Sequence, residues 1–182
     1  AIFAWAALPL LLGLVGFPAL AGDGGEDLLT QLKVAYLYNF TRFVDWPPPV
    51  QNRPFVIAVL GDPGLASALR VLEREGREAE GRPIEVRELG RSDRAEGADL
   101  LFLGRDANGR VEAIARTTAG QPVLLVGDTP GYAGRGVAIE LFRKPDVFRK
   151  TERLRLRIDP EAIKGRGLTV SAQLYDVAEV LE

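Results

Sequence analysis

Three residue types are missing from this chain of 182 residues: it has no histidine, no cysteine and no methionine. Without histidine, the commonest general base near neutral pH and the commonest metal ligand are gone. Without cysteine there is no thiol nucleophile, no thiolate metal site and no disulfide. Ser-His-Asp, Cys-His and zinc-hydrolase mechanisms are thereby excluded. Carboxylates, Lys, Ser, Thr and Tyr remain for chemistry. The absence of Met, initiator included, leads to the expectation that the chain begins inside its gene product. An excess of one charge is also lacking. The 23 basic and 25 acidic residues leave a formal charge of −2, which gives no overall attraction to DNA or RNA.

With 47% hydrophobic and 26% charged residues, the chain has the composition of one globular domain able to bury a core. The segment Ala1–Ala21 stands apart: it is uncharged and rich in Leu, Ala, Val and Phe. It ends in Ala19-Leu20-Ala21, the small-x-small pattern of a signal-peptidase site, followed by the polar Gly22-Asp23-Gly24-Gly25. Residues 1–21 are expected to be a cleaved export signal and residues 22–182 the folded domain. A membrane anchor is the competing expectation, but Pro9, Gly13, Gly16 and Pro18 make a poor spanning helix. No cysteine follows the signal for lipidation, so the exported chain is expected to be periplasmic without stable membrane insertion.

Apolar spacing predicts a helix over Glu26–Trp46, with Leu29, Leu32, Tyr36, Phe40 and Phe43 on one face and Pro47-Pro48-Pro49 as its stop. Short apolar runs predict buried strands at Pro54–Leu60, Ala98–Leu103 and Pro122–Val126, and an alternating, half-exposed strand nearer a sheet edge at Pro83–Leu89. Helices are predicted at Gly64–Glu75 and Asn108–Thr118, with a short helical turn at Asp93–Gly97. This rhythm argues an α/β class: a single three-layer domain with a mostly parallel sheet in βαβαβαβ order. The runs Gly136–Phe142 and Arg153–Ile158 read as an antiparallel pair joined around Lys144-Pro145-Asp146. A helix is expected to start at Asp159-Pro160, and a C-terminal helix to occupy Leu168–Leu181.

Three places present candidate sites. The buried strands end in Gly61-Asp62, Gly104-Arg105-Asp106 and Gly127-Asp128. In an open parallel sheet these ends share one edge, where ligands bind. Asp62, Arg105, Asp106 and Asp128 thus form a candidate ligand edge, unless Gly-Asp is turn and cap chemistry alone. Arg153 and Arg155 alternate with Leu154 and Leu156, which reads as a solvated strand face or as a basic patch for an acidic partner. Tyr36, Tyr38, Phe40, Phe43 and Trp46 exceed what one core stripe needs. They are candidates for a partner or homodimer interface. No G-x-G-x-x-G or Walker motif is present. No catalytic constellation, metal site or cofactor is expected.

The chain resembles the YfiR-like family of periplasmic proteins. The resemblance rests on Val34–Pro47, which ends in Asp45-Trp46-Pro47, and on Pro54–Gly61, Gly81–Ile84, Leu100–Gly104, Gly120–Asp128, Gly136–Ile139 and Leu168–Ser171. It implies a small non-enzymatic α/β regulator that binds an inner-membrane diguanylate cyclase or another membrane sensor protein, repressing cyclic di-GMP signalling and biofilm formation. Better-known members use disulfides for stability and redox sensing. This chain has no cysteine, so redox control is not carried over. The competing expectation is a periplasmic small-ligand-binding protein using the carboxyl edge of the sheet.

Overall fold

Residues 25–49, 52–146 and 151–181 are described by a computed structural model. The expected export signal lies outside them. Its helices and strands follow the apolar pattern closely through residue 127. Helix α1 spans Glu26–Phe43 and α2 spans Pro63–Arg74. Strand β1 is the short Val44–Asp45, followed by β2 at Phe55–Leu60, β3 at Glu78–Ala79 and β4 at Arg82–Leu89. Strand β5 is Leu100–Leu103, helix α3 is Val111–Thr117 and strand β6 is Leu124–Gly127. Every residue of β2, β5 and β6 is buried, whereas β4 alternates. This is the difference between strands covered on both faces and one near an edge.

The rest of the chain gives β7 at Ile139–Asp146, β8 at Thr151–Ile158, α4 at Pro160–Lys164, β9 at Thr169–Val170, α5 at Ala172–Tyr175 and β10 at Ala178–Val180. Eight strands form one sheet in the order β10-β8-β7-β6-β5-β2-β4-β3. Pairs from β4 through β7 are parallel, β7 and β8 are antiparallel, and β10 lies parallel to β8. From β2 the chain moves outward to β4, then crosses back to β5 and onward to β6 and β7. Alternate side chains divide the core into two layers. Phe55, Ile57, Val59 and Phe102 pack under α1 and α2, and Val56, Ala58, Leu101 and Leu103 pack against α3 and its approach. The expected three-layer, mostly parallel α/β architecture is what the chain adopts.

Several expectations are corrected. Helix α1 stops at Phe43, three residues early, because Val44 is extended and pairs with Val170 in the small antiparallel β1–β9 sheet. Its buried face is Lys33, Val34, Leu37, Phe40 and Thr41, about one position off the predicted stripe. Asp93–Gly97 is not helical: Asp93 N–H donates to the Gly90 carbonyl at 3.1 Å and its carboxylate accepts from the Gly90 N–H at 2.7 Å, a single turn closed from both sides. Asn108–Thr118 divides into a 3-10 helix over Arg105–Arg110 and α3. Lys144-Pro145-Asp146 belongs to β7 rather than to a turn, and residues 147–150 lie outside the described chain. Asp159 does cap α4, accepting from Ala162 N–H at 3.0 Å.

The C-terminal helix over Leu168–Leu181 is replaced by β9, α5 and β10. The outer edge of β8 offers unpaired backbone groups, and Ala178–Val180 satisfies part of it; Leu181 N–H also reaches the Ile158 carbonyl at 2.8 Å. Tertiary pairing thereby overrides the helical spacing. Helical spacing would put Leu174, Val177, Ala178 and Leu181 on one buried face, but Leu174 is buried while Val177 is 41% exposed. No described helix is long and apolar enough to cross a membrane.

Helix α3 is tied to a second 3-10 turn, Ala133–Arg135, by the Arg135 guanidinium. It pairs with Glu112 at 2.5 Å and also contacts the Asn108 side chain. Its hydrogen bond, with Coulomb attraction, holds the Glu112 carboxyl down at about 2 against an ordinary 4.5. A carboxyl depressed in the folded state stabilises it above the unfolded value and loses that contribution as pH falls. The increment is therefore expected to be complete above pH 4.5 and to fade toward pH 2. Because the pair is exposed it is screened by salt. Acid titration of stability for the protein and for Glu112→Gln is expected to give curves that differ above pH 4.5 and converge near pH 2.

Candidate functional site

The change of direction between β2 and β5 is where an open α/β sheet ordinarily leaves a ligand crevice. Here the strand ends are drawn together. Gly104 N–H donates to the Leu60 carbonyl at 2.8 Å. A Cβ on Gly104 would collide with the Gly61 carbonyl group and lie 2.9 Å from the Asp62 Cβ. Gly61 itself turns at φ +79°, and a Cβ there would lie 2.6 Å from the Ala107 nitrogen. Gly127 is covered by the ring of Tyr132, which is fully buried and donates its hydroxyl to the Gly104 carbonyl at 3.0 Å. Burial pushes the Tyr132 phenol above its ordinary value. Gly104→Ala is expected to cost about 1–3 kcal/mol, because backbone must move to admit the methyl; a urea midpoint unchanged from the parent would contradict this packing.

The expected ligand edge separates into two parts. Asp62 and Asp128 converge, and the cation between them is Lys33, supplied by α1 and only 8% exposed. Its ammonium lies 2.5 Å from Asp128, 3.3 Å from Asp62 and 5.7 Å from the centre of the Phe102 ring. Asp62 also caps α2, accepting from Leu65 N–H at 2.9 Å. One Asp128 oxygen, Oδ1, is buried without a hydrogen-bond partner. Arg105 and Asp106 are exposed and open the 3-10 helix that follows β5. Asp106 lines a shallow cleft with Leu60, Gly61, Pro63, Leu89 and Arg110. Its volume is about 160 Å³, below the roughly 300–1,000 Å³ of sites that enclose a small organic ligand.

The opposite end of the sheet holds a cluster that composition and spacing did not reveal. Asp99, 3% exposed, precedes β5 and accepts from two arginines. Arg53 pairs with it through both terminal nitrogens at 2.8 Å, and Arg82 approaches at 3.1 and 3.5 Å. Val56 N–H donates to the same carboxylate at 2.9 Å, and the Trp46 indole donates to the Asp99 carbonyl at 3.0 Å. Arg82 stacks over Phe55, which meets Trp46 edge to face. The Asp45-Trp46-Pro47 motif is thus the means by which the end of α1 is fastened to the sheet. Its sequence signal was the carboxylate opening an otherwise apolar run at Ala98–Leu103.

The expected interface aromatics are divided by burial. Phe40 and Trp46 belong to the core, whereas Tyr36, Tyr38 and Phe43 are half-buried and pack against it. The Tyr36 hydroxyl reaches the Leu154 carbonyl at 3.4 Å. Burial pushes its phenol above the ordinary value, and the positive charge of Arg155 partly offsets this. Tyr38 lies beneath Arg77. Arg153 and Arg155 are both exposed on β8, while Arg157 of the same face bridges the buried Glu140 at 3.0 Å and Glu179 at 3.3 Å. Phe142 lies under the Arg157 guanidinium.

Comparison with known proteins agrees with the architecture. No curated protein matches the chain at a significant level. A crystal structure of a conserved domain protein from Vibrio cholerae shares the fold, with a TM-score of 0.54 at 15% identity. The match covers 84% of this chain and 60% of that one, so this chain spans less than two thirds of that neighbour. The YfiR/HmsC-like family matches residues 30–179, nearly all of the described chain. The fold, the aromatic helix and the strand-end glycines therefore belong to a member of the YfiR/HmsC-like family, a family of periplasmic, regulatory and non-catalytic proteins.

Proposed function

We propose that this protein is exported by its first 21 residues and acts in the periplasm by binding the sensor part of an inner-membrane signalling protein. In our reading that partner is a diguanylate cyclase, which the protein represses, lowering cyclic di-GMP and biofilm formation. The observation that carries the reading is the filling of the carboxyl edge by the protein's own side chains. Lys33 neutralises Asp62 and Asp128, and Tyr132 covers the end of β6. Where a ligand crevice is filled, recognition falls to the outer surface, and family membership supports regulation. The small-ligand reading would require Lys33 to leave its two carboxylates.

Such a regulator works by binding one state of the sensor better than another. A complete switch from 1:99 to 99:1 needs about a 10⁴-fold difference in affinity. The half-buried Tyr36, Tyr38 and Phe43 and the exposed Arg153 and Arg155 supply the contact surface in this proposal. Deletion of the gene is expected to raise cellular cyclic di-GMP and surface attachment. Unchanged levels in a strain lacking the protein would remove the cyclase from the proposal. A mature N-terminus near Gly22 in the periplasmic fraction checks the export step.

A further inference from the structure

The hairpin of β7 and β8 outgrows the sheet that carries it. On one side β6 pairs only with Ile139 and Glu140 of β7. On the other, β10 pairs only with Leu156–Ile158 of β8. The outer edge of β8 before Leu156 is therefore not paired by any described strand. The Ile158 carbonyl faces this outer side, since it accepts from Leu181. The two-residue period of a strand then turns the backbone groups of Leu156 and Leu154 outward as well. Among the described residues, the Tyr36 hydroxyl, at 3.4 Å, meets the Leu154 carbonyl there.

The face beside this edge carries Lys144, Arg153, Arg155 and Arg157. Register places Glu140 beside Arg157, Phe142 beside Arg155 and Lys144 beside Arg153. Register places three carboxylates on or beside this face, Glu140, Asp146 and Glu179; Glu140 is engaged by Arg157, and Glu179 by Arg157 and Lys144. Arg155 is exposed and has no carboxylate partner among the described residues. Antiparallel pairing of two copies along this edge would set Arg against Arg, or turn arginines onto the partner's apolar face. Like charges directly opposite are destabilising, so the edge is built against its own copy. A strand edge that no described strand pairs, with the exposed Arg155 beside it, fits a strand of another protein that carries acidic side chains on one face.

We propose that the outer edge of β8 around Leu154 receives an extended acidic segment of the protein's partner by strand addition, with Arg155 pairing to its carboxylates. This rests on the reading that the protein works by binding another protein, and it names the chemistry of the segment bound. The probe is a capped synthetic peptide of alternating Glu and Val, with an alternating Lys and Val peptide as control. Binding is followed by fluorescence anisotropy, and the Leu154 amide by hydrogen exchange in the intact domain.

The Glu peptide is expected to bind, to slow exchange at Leu154, and to weaken on raising ionic strength from about 0.01 to 0.15 M, where the Debye length falls from roughly 30 to 8 Å. Arg155→Glu is expected to weaken it about tenfold by placing like charges opposite one another. Arg105→Glu, an exposed arginine outside this edge, is expected to leave it unchanged. Absence of binding, equal loss in both variants, or binding without protection at Leu154 would overturn strand addition. A dimer by light scattering that protects Leu154 would overturn it in favour of a second copy. Failure here, with cyclic di-GMP still rising on gene deletion, would remove the docking mode and leave the regulatory function standing.

Discussion

Asp99→Ala is expected to lower the stability of the domain by about 3–5 kcal/mol, the usual cost of breaking a buried ion pair by removing one partner. The loss is large because this carboxylate accepts from Arg82, Arg53 and Val56 N–H together. Without it, the Arg82 guanidinium is left buried with its charge uncompensated, and Arg53 lies close by. For a chain of this size the melting temperature is expected to fall by about 6–20 °C. The two arginines are not equivalent. Arg53 is one third exposed and can turn to water, so Arg53→Met is expected to cost only about 1 kcal/mol. Arg82 cannot do so, and Arg82→Met with Asp99→Leu is expected to recover much of the loss, as hydrophobic replacements of buried ion pairs do. Thermal unfolding by circular dichroism checks the series. Equal effects of Arg53→Met and Asp99→Ala would show that the cluster is solvated rather than buried.

Lys33→Met is expected to cost about 3 kcal/mol by leaving Asp62 and Asp128 near each other with no cation between them. The value is set at the lower end because the two carboxylates retain some contact with water, 26% and 18% of their side-chain surface. Asp62 also keeps its bond from Leu65 N–H. Asp128 keeps less, since its Oδ1 is already without a partner. Asp128→Asn in the Lys33→Met background is therefore expected to restore about 1–2 kcal/mol, whereas alone it destabilises. Urea unfolding with an unchanged denaturant slope measures both. Strict additivity of the two substitutions would show that Lys33 and Asp128 do not interact.

How much of this was legible in the sequence follows from what kind of force places each part. Strands β2, β5 and β6 are continuous apolar runs, and burial on both faces selects for that pattern directly. Asp62 and Asp159 were readable as caps because capping is local chemistry. Leu168–Leu181 was not readable. Its helical spacing is real, but the unpaired edge of β8, contributed by a different part of the chain, draws Ala178–Val180 into the sheet.

The site was half legible for the same reason. Gly61, Gly104 and Gly127 mark the strand ends, and topology brings Asp62 and Asp128 together as expected. Lys33, which closes that edge, is one polar residue on a largely apolar helix. Its signal was position: it lies four residues before Leu37 and seven before Phe40, inside the stripe that is buried. A lysine there requires a carboxylate, and the only question is which. The pairing of Asp99 with Arg53 and Arg82 joins residues 46 and 17 positions apart, a separation that no local pattern spans. The aromatics of α1 and of the Asp45-Trp46-Pro47 segment after it were legible as excess but not as a division between core and surface, since Phe40 and Trp46 are buried while Tyr36, Tyr38 and Phe43 keep one side in water.

The most direct test of a regulator that represses a membrane cyclase is made with purified components. A membrane diguanylate cyclase with a periplasmic sensor part, taken from the same organism, is placed in nanodiscs, where its periplasmic and cytoplasmic parts are both accessible. Cyclic di-GMP formation is then followed as residues 22–182 of this protein are titrated in. Repression predicts a saturable fall in cyclase activity that is lost when the cyclase lacks its periplasmic sensor part. Undiminished activity at saturating protein would contradict it.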